Sequence, residues 1–100
     1  MLERDVERYL VGRVAAIGGV AYKFVSPTNR GVYDRIVVMP GGVVWFVELK
    51  SATGRLSKLQ LRFQAQMIAM GQRNIVLASK DAVDTFITIL ESENNGGLLQ

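Results

Sequence analysis

The chain has 100 residues, no cysteine and no histidine, and 12 Lys and Arg against nine Asp and Glu, for a formal charge of +3. That length fits one small domain, and 49% hydrophobic residues suffice for a packed core. The missing residue types exclude disulfides, thiolate metal sites, cysteine nucleophiles and imidazole bases, so any metal must take oxygen ligands, as Mg²⁺, Mn²⁺ and Ca²⁺ do.

Residues 3–17 read as a helix, because Val6, Leu10, Val14 and Ile17 recur at helical spacing, and Gly18-Gly19 stops it. Val20 to Val25 reads as a strand and Ser26 to Gly31 as a loop. Val32 to Met39 and Val43 to Lys50 are two more strands, joined by the turn Pro40-Gly41-Gly42. Ser51 to Leu56 is a second loop. Ser57-Lys58-Leu59-Gln60 has the form of a capping box, so a helix is expected from there to about Met70, with Gly71 ending it. Asn74 to Ala78 is a short strand. Residues 81–91 are a last helix, with Val83, Phe86, Ile87 and Leu90 on one face. Glu93 to Gln100 reads as a flexible tail, leaving one domain over residues 1–92. The order α-β-β-β-α-β-α predicts an α/β fold, a small mixed sheet flanked by helices.

No apolar run approaches the roughly 20 residues of a membrane span. The N-terminal MLERDVERYL lacks a signal-peptide core, so a cytoplasmic protein is expected. The charge is concentrated. From Arg13 to Lys80 ten basic residues face only two acids, Asp34 and Glu48, a net of +8. Such a stretch is a candidate footprint for a polyanion.

The two acids carry the sharper clue. Alternation along the hairpin puts Glu48 and Lys50 on one face of the second strand, and Asp34 on the matching face of the first. If Pro40 to Gly42 is a three-residue loop closed by Met39 and Val43, Asp34 lies opposite Glu48. Facing carboxylates destabilise a sheet, unless a divalent cation turns the repulsion into a ligand set. Lys50 on the same face can orient water or offset charge on a phosphate. Glu7, or Glu3 one turn earlier, can add a third carboxylate from the first helix. Gln60 either closes the capping box or points its amide into the site.

In this order the residues resemble the VRR-NUC branch of the PD-(D/E)XK nuclease superfamily. The matching segments are Val6-Glu7, Gly18-Gly19 with Tyr22-Lys23-Phe24, Arg30-Gly31 leading to Asp34-Arg35, Gly41-Gly42, Phe46-Val47-Glu48-Leu49-Lys50, and Gly54 to Ser57 with Gln60. The resemblance implies a restriction-endonuclease-like core and Mg²⁺- or Mn²⁺-dependent cleavage of DNA. It matches Asp34 and Glu48 to the metal-binding acids, Lys50 to the catalytic lysine, Glu7 to the helical acid and Gln60 to the motif glutamine. It also implies metal ligation by the Leu49 carbonyl. The family usually has Pro where this chain has Tyr33, which changes no ligand. Stand-alone proteins of this size resemble phage-type nucleases, which implies a bacterial host cell, a homodimer and branched DNA such as flaps or four-way junctions. Lys23, Arg30, Arg35, Arg55, Lys58 and Arg62 are the expected contacts to the DNA backbone. The alternatives are a non-catalytic DNA-binding module and a nuclease subunit of a replication or repair complex.

Overall fold

A computed structural model describes residues 1–24 and 33–98; for residues 94–98 only the backbone path is described. Chain order is α1 (Glu3–Ala16), β1 (Val20–Lys23), β2 (Arg35–Met39), β3 (Val43–Leu49), α2 (Lys58–Ala69), β4 (Asn74–Leu77) and α3 (Lys80–Leu98). The strands lie side by side as β1-β2-β3-β4, antiparallel up to β3 and parallel between β3 and β4. The expected mixed α/β order therefore holds.

Sequence patterning explains the layers. On α1 the stripe Val6, Leu10 and Val14 is fully buried. Gly18 takes φ +89° just past the helix. There its N–H donates to the Ala15 carbonyl and the Gly19 N–H to Val14, a Schellman closure that favours glycine. Val37 and Met39 of β2, Val47 and Leu49 of β3, and Leu77 of β4 point at the same layer. Val83, Phe86, Ile87 and Leu90 of α3 complete that core, and Trp45 meets Phe86 edge to face at 5.2 Å. One face of the sheet is thus sealed by α1 and α3.

The opposite face is only partly covered. α2 lies beside β4 and buries none of its residues. Val20, Val38 and Val44 form one cross-strand row on this face, and Tyr22, Ile36 and Phe46 the next. Among them Val20, Tyr22, Val38 and Val44 are exposed. No helix among the described residues is long and apolar enough to cross a membrane.

The hairpin register is the expected one. Met39 pairs with Val43 and Arg35 with Val47, with Gly41 and Gly42 both at positive φ in the loop. Two boundaries differ from expectation by more than two residues. β2 starts at Arg35, later than expected, and Asp34 just before it turns its carboxylate to the Leu49 N–H at 2.8 Å. The last helix runs to Leu98, beyond the expected 91, through the segment read as the tail. Glu93 anchors it there, accepting from Trp45 Nε1 and Arg73 Nε, each at 2.6 Å. The expected loop at 26–31, with Arg30, lies outside the described residues.

Candidate active site

Glu48 stands near the end of β3, the central strand that pairs with both β2 and β4. It is 3% exposed, and no other charged residue is buried among the described residues. Strand alternation turns it away from the Val47–Leu49 core, toward the layer where α2 begins.

Three partners surround this carboxylate. Gln60 Nε2 donates to Oε1. Lys50 Nζ lies 3.6 Å from the same oxygen. Asp34 is the nearby like charge. Burial first, and then Asp34, push the Glu48 carboxyl up to about 7, against the opposing pull of Lys50. Asp34 is itself oriented by the Leu49 N–H, so the residue between the motif acid and the lysine fixes the other acid. Leu49 buries its side chain in the core, which pins the peptide between Glu48 and Lys50.

Gln60 resolves the alternatives left open by the sequence by meeting both. Ser57 Oγ accepts from the Gln60 N–H at 3.1 Å, and Gln60 Oε1 accepts from the Ser57 N–H at 2.9 Å. The amide oxygen thus closes the cap while the amide nitrogen reaches Glu48. One side chain ties the start of α2 to the carboxylate.

Tyr33 is buried beside the site. Its ring packs on Phe46 at 5.9 Å and its hydroxyl donates to Asn74 Oδ1 at 3.1 Å. With Glu48, Leu56, Gln60, Gln64 and Val76 it lines a narrow crevice. Burial and the Glu48 charge raise the Tyr33 phenol above its ordinary value. The sequence assigned Tyr33 no such part; its place directly before Asp34 was the available signal.

Glu7 does not join the pair. Its Oε2 accepts from Arg35 Nε at 2.8 Å, and Arg35 Nη1 also donates to the Ala21 carbonyl at 3.0 Å. Arg35 projects to the α1 face because it is one residue out of phase with Asp34. The expected third carboxylate is therefore held on the other side of the sheet. Glu3, one helical turn earlier, is the α1 acid whose charge acts on Glu48. No group of three acids converges as a cation site among the described residues. Arg55, Lys58 and Arg62 are exposed on the loop and first turns leading into α2, and Lys23 is exposed at the end of β1.

Both carboxylates offer oxygen, the ligand type that suits a hard divalent cation, and Mg²⁺ needs only one or two protein carboxylates beside water and phosphate. A cation would also relieve the repulsion that now opposes ionisation of Glu48. The residues present fit such an ion.

No family model matches the chain. A protein of Acyrthosiphon pisum secondary endosymbiont phage 1, described as "Putative nuclease p44", is 48% identical over 79 residues, covering 79% of this chain and 85% of that one. A solved structure described as a VRR_NUC domain aligns with a TM-score of 0.80 and 32% identity, over 86% of this chain and 94% of that one. The chain belongs to the VRR-NUC family.

Proposed function

We propose that this VRR-NUC chain is a Mg²⁺- or Mn²⁺-dependent endonuclease that hydrolyses DNA phosphodiesters. The observation that carries the reading is the buried Glu48 carboxylate, held beside Asp34 and contacted by Lys50 and Gln60. Buried acids set against a like charge are costly, and such arrangements concentrate at functional sites.

In this reading Asp34 and Glu48 hold the cation, with the Leu49 carbonyl between Glu48 and Lys50 as a further oxygen donor. The bound ion would polarise the scissile phosphate and make an attacking water more acidic. Gln60 keeps Glu48 aimed at the site. The Leu49 N–H keeps Asp34 in place. Lys50 brings a positive charge to the phosphate oxygens as negative charge grows on them. Water adds to phosphorus, one P–O ester bond breaks, and the departing oxygen leaves protonated. Lys23, Arg55, Lys58 and Arg62 contact phosphates without reading bases, which makes binding salt-sensitive.

The substrate in this reading is branched DNA, cut by a homodimer. Support comes from the apolar rows Val20-Val38-Val44 and Tyr22-Ile36-Phe46, left open on the face that carries Asp34 and Glu48. A second copy covering them would present two sites to a two-fold junction.

The test is cleavage of nicked, flapped and four-way DNA by Lys50→Ala and Asp34→Asn with Mg²⁺ and Mn²⁺. Rate losses of about 10²–10⁴ are expected. Undiminished cleavage in both would overturn the assignment. A wild-type protein that binds DNA but neither cuts it nor gains thermal stability with Mn²⁺ would favour a non-catalytic binding module. Solution mass of wild type and Tyr22→Asp tests the dimer, which the variant is expected to dissociate.

A further inference from the structure

The N-terminal dozen residues carry net negative charge, so the sequence gives them no part in holding a polyanion. Folding changes their surroundings. Arg4, Glu7, Arg8 and Val11 of α1, together with Arg35 of β2, line an open groove of about 340 Å³. Glu7 is neutralised by Arg35 within it. Arg4 and Arg8 are one helical turn apart, both exposed, and make no ion pair among the described residues.

One more cationic group stands beside Arg35. Lys23 is the ladder partner of Arg35, so both side chains project from the same face of the sheet. Arg35 uses Nε and Nη1 for Glu7 and Ala21, which fixes the guanidinium plane and leaves Nη2 without a hydrogen bond among the described residues. Arg4, Arg8 and Arg35 thus line the groove with a single acid, Glu7, and with Lys23 beside Arg35 the local charge is about +3.

The groove also has a direction. Arg35 is covalently next to Asp34, and Arg4 follows Glu3, the α1 acid that acts on Glu48. Its site end is the rim where β2 starts, and its other end follows α1 to Val11.

We propose that this groove between α1 and the start of β2 seats the phosphodiester backbone of the DNA flanking the cleaved bond, with Arg4 and Arg8 as its principal phosphate contacts. The proposal rests on the nuclease reading above and adds a binding track to it. Glu7 serves this track as a positioning residue, by holding the Arg35 guanidinium. Backbone contacts of this kind set register and affinity rather than sequence preference.

The experiment is equilibrium binding of short duplex and four-way DNA in EDTA, over a salt series, by wild type, the double variant Arg4→Ala/Arg8→Ala, and Lys80→Ala. Lys80 is an exposed cation outside the groove, over the Tyr9 ring. The double variant is expected to bind about tenfold more weakly and to lower the salt slope by about 2, the signature of two lost phosphate contacts, with Lys80→Ala unchanged. An unchanged slope, an equal loss in Lys80→Ala, or no DNA binding by wild type would overturn the proposal. Mn²⁺-induced thermal stabilisation, measured on the same proteins without DNA, reports separately on the Asp34–Glu48 reading. The double variant and Lys80→Ala are both expected to retain it.

Discussion

The two faces of the sheet follow opposite rules. Against α1 and α3 every buried position is apolar, and the helices are clamped at the rim by Asp84, which accepts from Tyr9 Oη at 2.6 Å and Arg13 Nη1 at 2.7 Å. Against α2 the sheet buries a carboxylate, and the helix above it buries nothing. α2 is held instead by its cap and by Gln60 on Glu48. The first face supplies stability. The second keeps an ionisable group dry, at a cost to stability that a purely structural face would not bear.

That contrast can be broken most sharply at Asp34. Asp34→Asn is expected to reduce cleavage about 10³-fold, an effect of about 4 kcal/mol on the barrier, while thermal unfolding moves little. A large drop in melting temperature with retained cleavage would reverse the roles assigned to the two faces. On the sealed side, Leu10 is fully buried. Leu10→Ala should lose about 2–5 kcal/mol in denaturant titration, because the helix-sheet interface leaves a cavity.

Glu48 gives a prediction of opposite sign. Its carboxyl, at about 7 when folded against an ordinary 4.5, binds a proton more tightly in the folded chain. Its contribution therefore favours folding below the ordinary value and is lost as pH rises from about 4.5 through 7. Without metal, Glu48→Gln should stabilise the protein at pH 8 by something on the order of 1 kcal/mol and abolish cleavage. Mn²⁺ binding to wild type should weaken as pH falls below about 7, by up to tenfold per unit, because the ion must displace the proton. Calorimetric titration at pH 6 and pH 8 checks it, and a pH-independent affinity would remove Glu48 from the ligand set. The smallest effect is at the cap. Ser57→Ala should cost about 1 kcal/mol in unfolding free energy, and it should also lower cleavage, because Gln60 loses the hydroxyl that accepts from its N–H. An unaltered rate would show that the cap and the site are independent.

The local elements were legible because their causes are local. Helical spacing marked α1, the Pro40-Gly41-Gly42 turn set the hairpin register, and Ser57 with Gln60 announced α2. The neighbourhood of Asp34, Glu48 and Lys50 followed from that register and from alternation, which are fixed by covalent spacing. The partner of Glu7 was not legible, for the complementary reason. Helical periodicity says which residues share a stripe, but not which strand the stripe will lie across, and Arg35 captured the acid. The last helix outran its expected end because Trp45 and Arg73, distant in sequence, hold Glu93.

By itself, then, the sequence determined the order of elements, the turn chemistry and the residue types that permit carboxylate–lysine catalysis. Tertiary packing alone decided which groups lost water. Burial of Glu48 under α2, pairing of Glu7 with Arg35 and gathering of Arg4, Arg8 and Arg35 around one groove all depend on distances between elements far apart in the chain. Charge in a sequence is a count, whereas its energy in the fold depends on its neighbours and on the solvent that packing leaves behind.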